Sequence, residues 1–539
     1  MTNSIKISNK MCTEMPMIDS VRPPMLVLGF FLFTNTVVLA DETVLPDGYR
    51  ATDAQQTASF TKLCEATADT GLFSGAVLVG VKGKPVYKQA FGSANREWNN
   101  ANTTDTKFRL ASVSKPFCAI LVLQLVQEGK LRLEDNICDW IPNYRNDTGK
   151  KITIHHLLSH QSGIKDFTAG YNYRGSVSRL PFAKDEFIEK YCSNDLMNEP
   201  GTIYAYCNAG YVILGRVVEK VTRKSFEQNV QERIFVPLKM NDSGYDRNRY
   251  VLSKRASGYT LGPFGDDNAS YLDMDSSPGA AGSLYSTVED LFRFYIGLRD
   301  DQLLSEEYRK LMFTPNQNVP EVKAAGGRPK STYGYGCNIN RRTHPVTKHR
   351  VQIISHGGAI NGFRAMLSYL PEDDVFVVVL CNLADANGSG TVWNSIQRLS
   401  RELINIATLQ PYRLPPKAPV PQERRIYDLI KTQGLDAAMK WYRANGKKAA
   451  WGGTHHAVAN QLLKEGFSTE GLALMEIDLK ETPTKIWLLR KTAQAFLENG
   501  NAKKALEFAS KGIEQKPEDP GLLEIHSEAE RELSKGQPR

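Results

Sequence analysis

Phe108-Arg-Leu-Ala-Ser112-Val-Ser-Lys115-Pro-Phe-Cys-Ala-Ile-Leu-Val-Leu-Gln-Leu-Val-Gln-Glu-Gly129 is the stretch on which the reading of this chain turns. Residues 117–126 are apolar almost all round, which predicts a buried helix ended by Gly129. Proline is best tolerated in a helix's first turn, so Pro116 places Ser112 and Lys115 there. Residues three apart lie on one helical face, within reach of each other. Burial disfavours a lysine cation, and the neutral amine can draw the proton from a serine hydroxyl. The helix N-terminus also favours developing negative charge. Alone, Ser-x-x-Lys is a weak signal, because a serine at a helix start is usually a cap. The reading needs partners elsewhere in the chain.

Two downstream stretches supply them. In Asn198-Glu-Pro-Gly-Thr-Ile-Tyr-Ala-Tyr206-Cys-Asn208 a Pro-Gly turn leads into an amphipathic helix. A tyrosine of lowered pKa beside a lysine can pass the serine proton to a leaving group. Asn208 can orient that lysine and bind a substrate amide, or simply cap the helix. In Ile354-Ser-His356-Gly-Gly358-Ala359-Ile-Asn-Gly-Phe-Arg364 a strand runs into two glycines. Glycines let a substrate backbone lie close to the strand. Backbone N–H groups at that point can complete an oxyanion hole.

Around these motifs, residues 51–410 alternate strand-like and helix-like patterns. Gly75–Val81 and Lys84–Gly92 read as a hairpin turning at Lys82-Gly83. Ala365–Leu370 and Val375–Leu380 read as two more strands around Pro371-Glu-Asp-Asp. Strands at both ends with helices between them predict an α+β domain whose antiparallel sheet draws on both termini. Residues 411–425 form a proline-rich linker, a semi-rigid spacer. Beyond it, 426–539 reads as helical. Ala459, Leu463, Gly466, Leu472 and Pro483 recur 34 positions later as Ala493, Leu497, Gly500, Leu506 and Pro517. That spacing is the tetratricopeptide period, with 426–450 as a degenerate earlier unit. An ordinary helical bundle is the alternative. Such repeats suit a protein partner or a stabilising appendage.

The composition excludes several classes. The hydrophobic fraction is 41% and the charged fraction 23%, values of a soluble globular protein. A net charge of +8 is spread along the 539 residues without a dense basic run, so nucleic-acid binding has no support. Met25–Ala40, MLVLGFFLFTNTVVLA, fits a signal-peptide core with cleavage before Asp41, which puts 1–40 outside the folded protein. A secreted or periplasmic location follows, with an uncleaved membrane anchor as the alternative. Cys64, Cys118, Cys138, Cys192, Cys207, Cys337 and Cys381 remain after cleavage and make no zinc-type spacing. His155-His156 and His455-His456 have no ligand partner at suitable spacing, so no metal is expected.

Taken in order, Ser112-x-x-Lys115, Tyr206-x-Asn208 and His356-x-Gly358 resemble the motifs of the serine β-lactamase and penicillin-binding protein superfamily. The form is that of class C β-lactamases and D-alanyl-D-alanine carboxypeptidases. His155–Gly163, Pro278–Leu291 and Tyr333-Gly-Tyr-Gly336 support the match, which spans roughly residues 55–405. The resemblance implies a helical cluster beside an antiparallel sheet, a serine hydrolase mechanism and no cofactor. It implies that Ser112 is acylated, that Lys115 activates it and that Tyr206 is the general base. Asn208 would contact lysine and substrate. The N–H groups of Ser112 and Ala359 would form the oxyanion hole, and His356 and Gly358 would line the substrate strand.

The third motif departs from the Lys-Thr-Gly of the β-lactamases. A histidine at 356 supplies the lysine's charge only partly near neutral pH, and Gly357 lacks the hydroxyl. Esterases and D-amino-acid peptidases of the superfamily show such a histidine. The expectation is therefore hydrolysis of an amide, ester or β-lactam, with a small-molecule or peptide substrate. Ester or D-peptide cleavage with weak β-lactam activity is one alternative. A non-catalytic penicillin-binding sensor with a recruiting tail is the other.

Overall fold

The computed structural model describes residues 53–169, 173, 177–274, 279–315, 332–343, 348, 350–385, 390–446, 453 and 455–535. The expected signal segment lies outside them. No helix among the described residues is long and apolar enough to cross a membrane.

Helix α1 (Asp53–Asp69) leads into strands β1 (Gly75–Val81) and β2 (Lys84–Phe91). The turn between them falls on Lys82 and Gly83, both at positive φ. Three long helices follow among shorter ones: α2 (Ser114–Gln127), α3 (Asn208–Thr222) and α4 (Val288–Arg299). The chain then returns to the sheet as β3 (Thr332–Tyr333), β4 (Asn338–Thr343), β5 (Arg350–Ile360), β6 (Phe363–Leu370) and β7 (Val375–Cys381). Helix α5 (Thr391–Ala407) closes this part. The seven strands make one antiparallel sheet in the order β3-β4-β5-β6-β7-β1-β2. Its seam is the pairing of β1 with β7, which sets Val77 opposite Val379 across 302 positions of sequence. The fold is α+β, as the residue pattern predicted.

Both faces of the sheet are covered, which explains why β1 and β7 are apolar at nearly every position. Side chains alternate between faces along a strand. Val77, Val79, Val377 and Val379 pack with Phe60 of α1 and Ile396 of α5. Ala76, Leu78, Val378 and Leu380 join the other core, with α2, α3 and α4. Helix α2 runs through the middle of that core. Every residue from Phe117 to Leu123 is fully buried. It ends on Gly129 at φ +68, whose N–H donates to Val126 O while that of Lys130 donates to Leu125 O. This paired return satisfies two carbonyls at the helix end and needs the left-handed region that glycine enters freely.

After a coil through the prolines, seven helices follow: α6 (Gln422–Gln433), α7 (Leu435–Asn445), α8 (His456–Lys464), α9 (Ser468–Glu481), α10 (Ile486–Glu498), α11 (Ala502–Gln515) and α12 (Pro520–Lys535). The helical tail therefore begins at Gln422, inside the span assigned to the linker, because Pro421 serves as the N-cap of α6. Ala459 in α8 and Ala493 in α10 are both fully buried. Gly466 and Gly500 turn the chain at φ +84 and +76. The tail touches the first part through Phe264, whose ring lies 5.1 Å from that of Tyr427 in α6.

The seven described cysteines are free thiols. His155 and His156 are structural: His155 Nδ1 bonds the Tyr335 hydroxyl at 2.7 Å, and His156 closes a capping box with Thr153.

Gly129→Ala should cost about 1 kcal/mol, since an added Cβ meets nothing within 4 Å and only backbone strain opposes it. Urea unfolding followed by circular dichroism measures this.

Candidate active site

Ser112 sits in the short 3-10 turn Ala111–Val113, one step before α2 rather than in its first turn. Three contacts hold the turn. Phe108 and Arg109 pair with Ser286 and Tyr285. Leu110 N–H donates to Leu284 O at 2.8 Å. Strand β5 presses on the turn from the sheet side: a Cβ at Gly358 would come 2.1 Å from Leu110 O. Ala111 adopts φ +51, a left-handed conformation uncommon for a residue with a side chain. Gly358 thus serves the close approach of strand and turn.

Lys115 is wholly buried. Its Nζ lies 2.8 Å from Asn208 Oδ1, 3.0 Å from Ala281 O and 3.2 Å from Ser112 Oγ. Burial pulls its pKa down to about 7, against the opposing pull of the Asp166 carboxylate. A neutral amine has two hydrogens. Asn208 Oδ1 and Ala281 O take both, which leaves the nitrogen lone pair facing Ser112 Oγ. Asn208 is held in turn, its Nδ2 donating to Asp166 Oδ2 at 2.9 Å.

Tyr206 hydrogen-bonds to Ser112 through its phenol, and its ring centroid is 4.9 Å from Lys115 Nζ. Although 38% of the residue is exposed, its phenol is enclosed, and that burial raises its pKa. The sequence reading expected a lowered value. The correction has a plain cause: Lys115 meets the ring face, and desolvation outweighs the serine hydrogen bond. Burial thus favours the protonated phenol at neutral pH.

His356 is also corrected. It is 3% exposed, and burial together with the charge of Lys115 depresses its pKa to about 3. Nδ1–H donates to Gly357 O at 2.8 Å, leaving Nε2 to accept from the Tyr333 hydroxyl at 3.0 Å. Burial and these two bonds favour a neutral His356. The glycine at 357 has its own reason, since a Cβ there would strike the Trp393 indole at 2.3 Å.

The cleft over Ser112 encloses ≈ 590 Å³. Asn208 and Ala359 border it with Ser112, as do the apolar Phe167, Tyr173 and Leu272. Arg364 reaches it too, but its Nη1 is spent on Ile360 O at 3.0 Å and Phe363 O at 2.8 Å. The sequence reading missed Asp166 and the Ala281 carbonyl. Asp166 lies outside the motif stretches, and Ala281, though within Pro278–Leu291, contributes only a main-chain carbonyl that no side-chain pattern marks.

The sequence and the fold both have known relatives. The Beta-lactamase family model matches residues 60–401. A penicillin-binding protein of Bacillus subtilis (strain 168) is 27% identical over 319 residues, covering 57% of this chain and 67% of that protein. Penicillin-binding protein 4 of Amycolatopsis lactamdurans is 29% identical over 371 residues, 67% of this chain and 92% of that one. The crystal structure of a penicillin binding protein from Bacillus halodurans superposes with a TM-score of 0.53 at 26% identity, covering 63% of this chain and 98% of that chain.

Two outcomes follow. The unfolded chain keeps the Lys115 proton to its ordinary pKa of 10.5, whereas the folded site releases it near 7. Between those values the unfolded state binds more protons, so this group's penalty is full below pH 7 and fades as pH rises. Lys115→Met should therefore raise stability relative to wild type more at pH 6 than at pH 10, by on the order of a few kcal/mol, in urea titrations. Gly358→Ala should push strand β5 off the Leu110–Val113 turn and lower the thermal midpoint, read by calorimetry.

Proposed function

Because the chain belongs to the beta-lactamase family and is a serine hydrolase, we propose that it cleaves its amide, ester or β-lactam substrate through an acyl-enzyme on Ser112. The observation that carries this reading is the arrangement about Lys115 Nζ, 2.8 Å from Asn208 Oδ1, 3.0 Å from Ala281 O and 3.2 Å from Ser112 Oγ, which lets a neutral amine turn its lone pair to the serine. Lys115 is then the base. It takes the Ser112 proton as Oγ attacks the substrate carbonyl carbon. The resulting oxyanion is received by the N–H groups of Ser112 and Ala359. The protonated Tyr206 phenol gives its proton to the leaving group as the carbonyl–heteroatom bond breaks, and it recovers a proton from Lys115. Water repeats the sequence on the acyl-enzyme, releasing the acid and Ser112. Asn208 and Asp166 keep the Lys115 nitrogen aimed throughout.

The substrate is a small molecule or short peptide whose acyl group lies along the apolar wall of Phe167, Tyr173 and Leu272. With His356 neutral and Arg364 engaged by carbonyls, the cleft offers a carboxylate little free charge. That favours esters and D-amino-acid amides over β-lactams. The apolar segment Met25–Ala40 before Asp41 supports an extracytoplasmic location. The 34-residue periodicity of the tail supports a tetratricopeptide-like module, a surface for a protein partner.

Intact-mass analysis after exposure to a penicillin and to a fluorophosphonate tests the mechanism. A mass increase that disappears in Ser112→Ala is expected, and no increase with either reagent would sink it. Lys115→Ala should slow acylation by roughly 10²–10⁴, the usual contribution of a positioned acid–base group. A short-chain p-nitrophenyl ester should be turned over faster than nitrocefin. Labelling without multiple turnover on either would replace the hydrolase reading with the sensor.

A further inference from the structure

His160 takes no part in the mechanism above, yet it is 1% exposed and lies against the ring of Tyr206, centroid to centroid 4.3 Å. Its backbone is at φ +58, in the left-handed region. The segment that it opens acts as a template for the segment that carries Tyr206 and Asn208. Met197 N–H donates to Gly163 O at 2.8 Å, Gly201 N–H to Gln161 O at 2.8 Å, and Ala205 N–H to His160 O at 2.9 Å. The last rung is different. Cys207 N–H, between Tyr206 and Asn208, donates to the His160 side chain at Nδ1, 3.1 Å away. Cys207 is the N-cap residue of α3, so this bond ends the template where the helix begins.

The proton arrangement follows from chemistry. An imidazole that accepts at Nδ1 is either neutral with its hydrogen on Nε2 or not bonded at all. Lys115 lies close enough to oppose a second proton, and burial opposes it more strongly. Tyr204, Tyr206, Tyr211 and Tyr333 surround the ring, so no carboxylate faces it. Nε2 has no hydrogen-bond partner among the described residues.

We infer that His160 is a positioning residue for the reaction: its Nδ1 fixes the Cys207 N–H and thereby sets Tyr206 and Asn208 on either side of it against Ser112 and Lys115. The inference rests on acylation at Ser112. Its left-handed backbone is what lets one residue offer carbonyl and ring nitrogen to two N–H groups two positions apart. A larger aliphatic residue would fill the space without the acceptor. Asparagine would keep both features, since it tolerates positive φ and its Oδ1 occupies the place of Nδ1.

Three measurements decide it. In wild-type protein carrying ¹⁵N-labelled histidine, long-range ¹H–¹⁵N spectra should show His160 as the neutral Nε2–H tautomer, and an Nδ1–H tautomer would overturn the inference without reference to activity. Fluorophosphonate labelling should slow about tenfold or more in His160→Ala, which leaves a buried N–H unpaired, and return to within about threefold of wild type in His160→Asn. Equal rates in wild type and His160→Ala, or a folded His160→Asn as slow as His160→Ala, would overturn it. Wild-type protein that labels at no rate sinks the acyl-serine reading instead, and the tautomer then still reports on the bond to Cys207.

Discussion

A lysine without water is the constraint around which this structure is arranged. Lys115 has no exposed surface, and nothing but protein receives its nitrogen. A buried ammonium is tolerated only with dense compensation, so the group sheds its proton near neutrality. Its orientation then rests on two acceptors, Asn208 Oδ1 and Ala281 O, drawn from different parts of the chain. Helix α2 must be buried on all sides to remove the water. The sheet must pass behind the Leu110–Val113 turn, and α3 must begin at the right height to present Asn208. Each demand is met by a local feature already visible as a residue: Gly129 at the end of α2, Gly358 against Leu110, the Cys207 cap at the start of α3.

The same dryness governs the other ionisable groups. Tyr206 and His356 both lie near Lys115, whose charge works in the same direction as burial on His356. Desolvation moves both toward their neutral forms. Tyr206 and His356 are therefore held as uncharged groups, while Lys115 exchanges its proton near neutrality and Asp166 stands behind Asn208. Charge that develops as the reaction proceeds lies in surroundings that screen it poorly, which rewards well-placed N–H groups.

Residue pattern alone made a good deal of this legible. The α+β plan and the sheet built from both ends of the chain follow from the pattern, and the meeting of Ser112 with Lys115 from their spacing, while the place of Tyr206 and Asn208 beside them was implied by the family resemblance. What escaped was of two kinds. Asp166 and the Ala281 carbonyl reach the site through tertiary packing, and their neighbours in sequence carry no periodic or capping signal. The protonation states escaped because they depend on how completely water is excluded, a property of the assembled core rather than of Tyr206 or His356. Gly358 has a structural role that the motif did not show. A glycine in a strand signals close approach of something, and here the visitor is the protein's own Leu110 carbonyl. At the linker, proline marked the end of one region and, at Pro421, the start of the next helix.

The contact between Phe264 and Tyr427 bears on how this protein can be taken apart. Phe264 sits at the tip of the hairpin formed by Tyr259–Gly262 and Gly265–Asn268, and the first of those strands pairs with Leu383–Asp385. Thr260, Ala384 and Asp385 from that small sheet form part of the cleft wall. The helical tail thus leans on the rim of the reaction chamber through an aromatic fingertip. A cut placed in the proline-rich segment would look clean by composition and would still leave that fingertip bare, with one wall of the chamber unbuttressed. Modularity in the sequence and modularity in the mechanics are, in this chain, different boundaries.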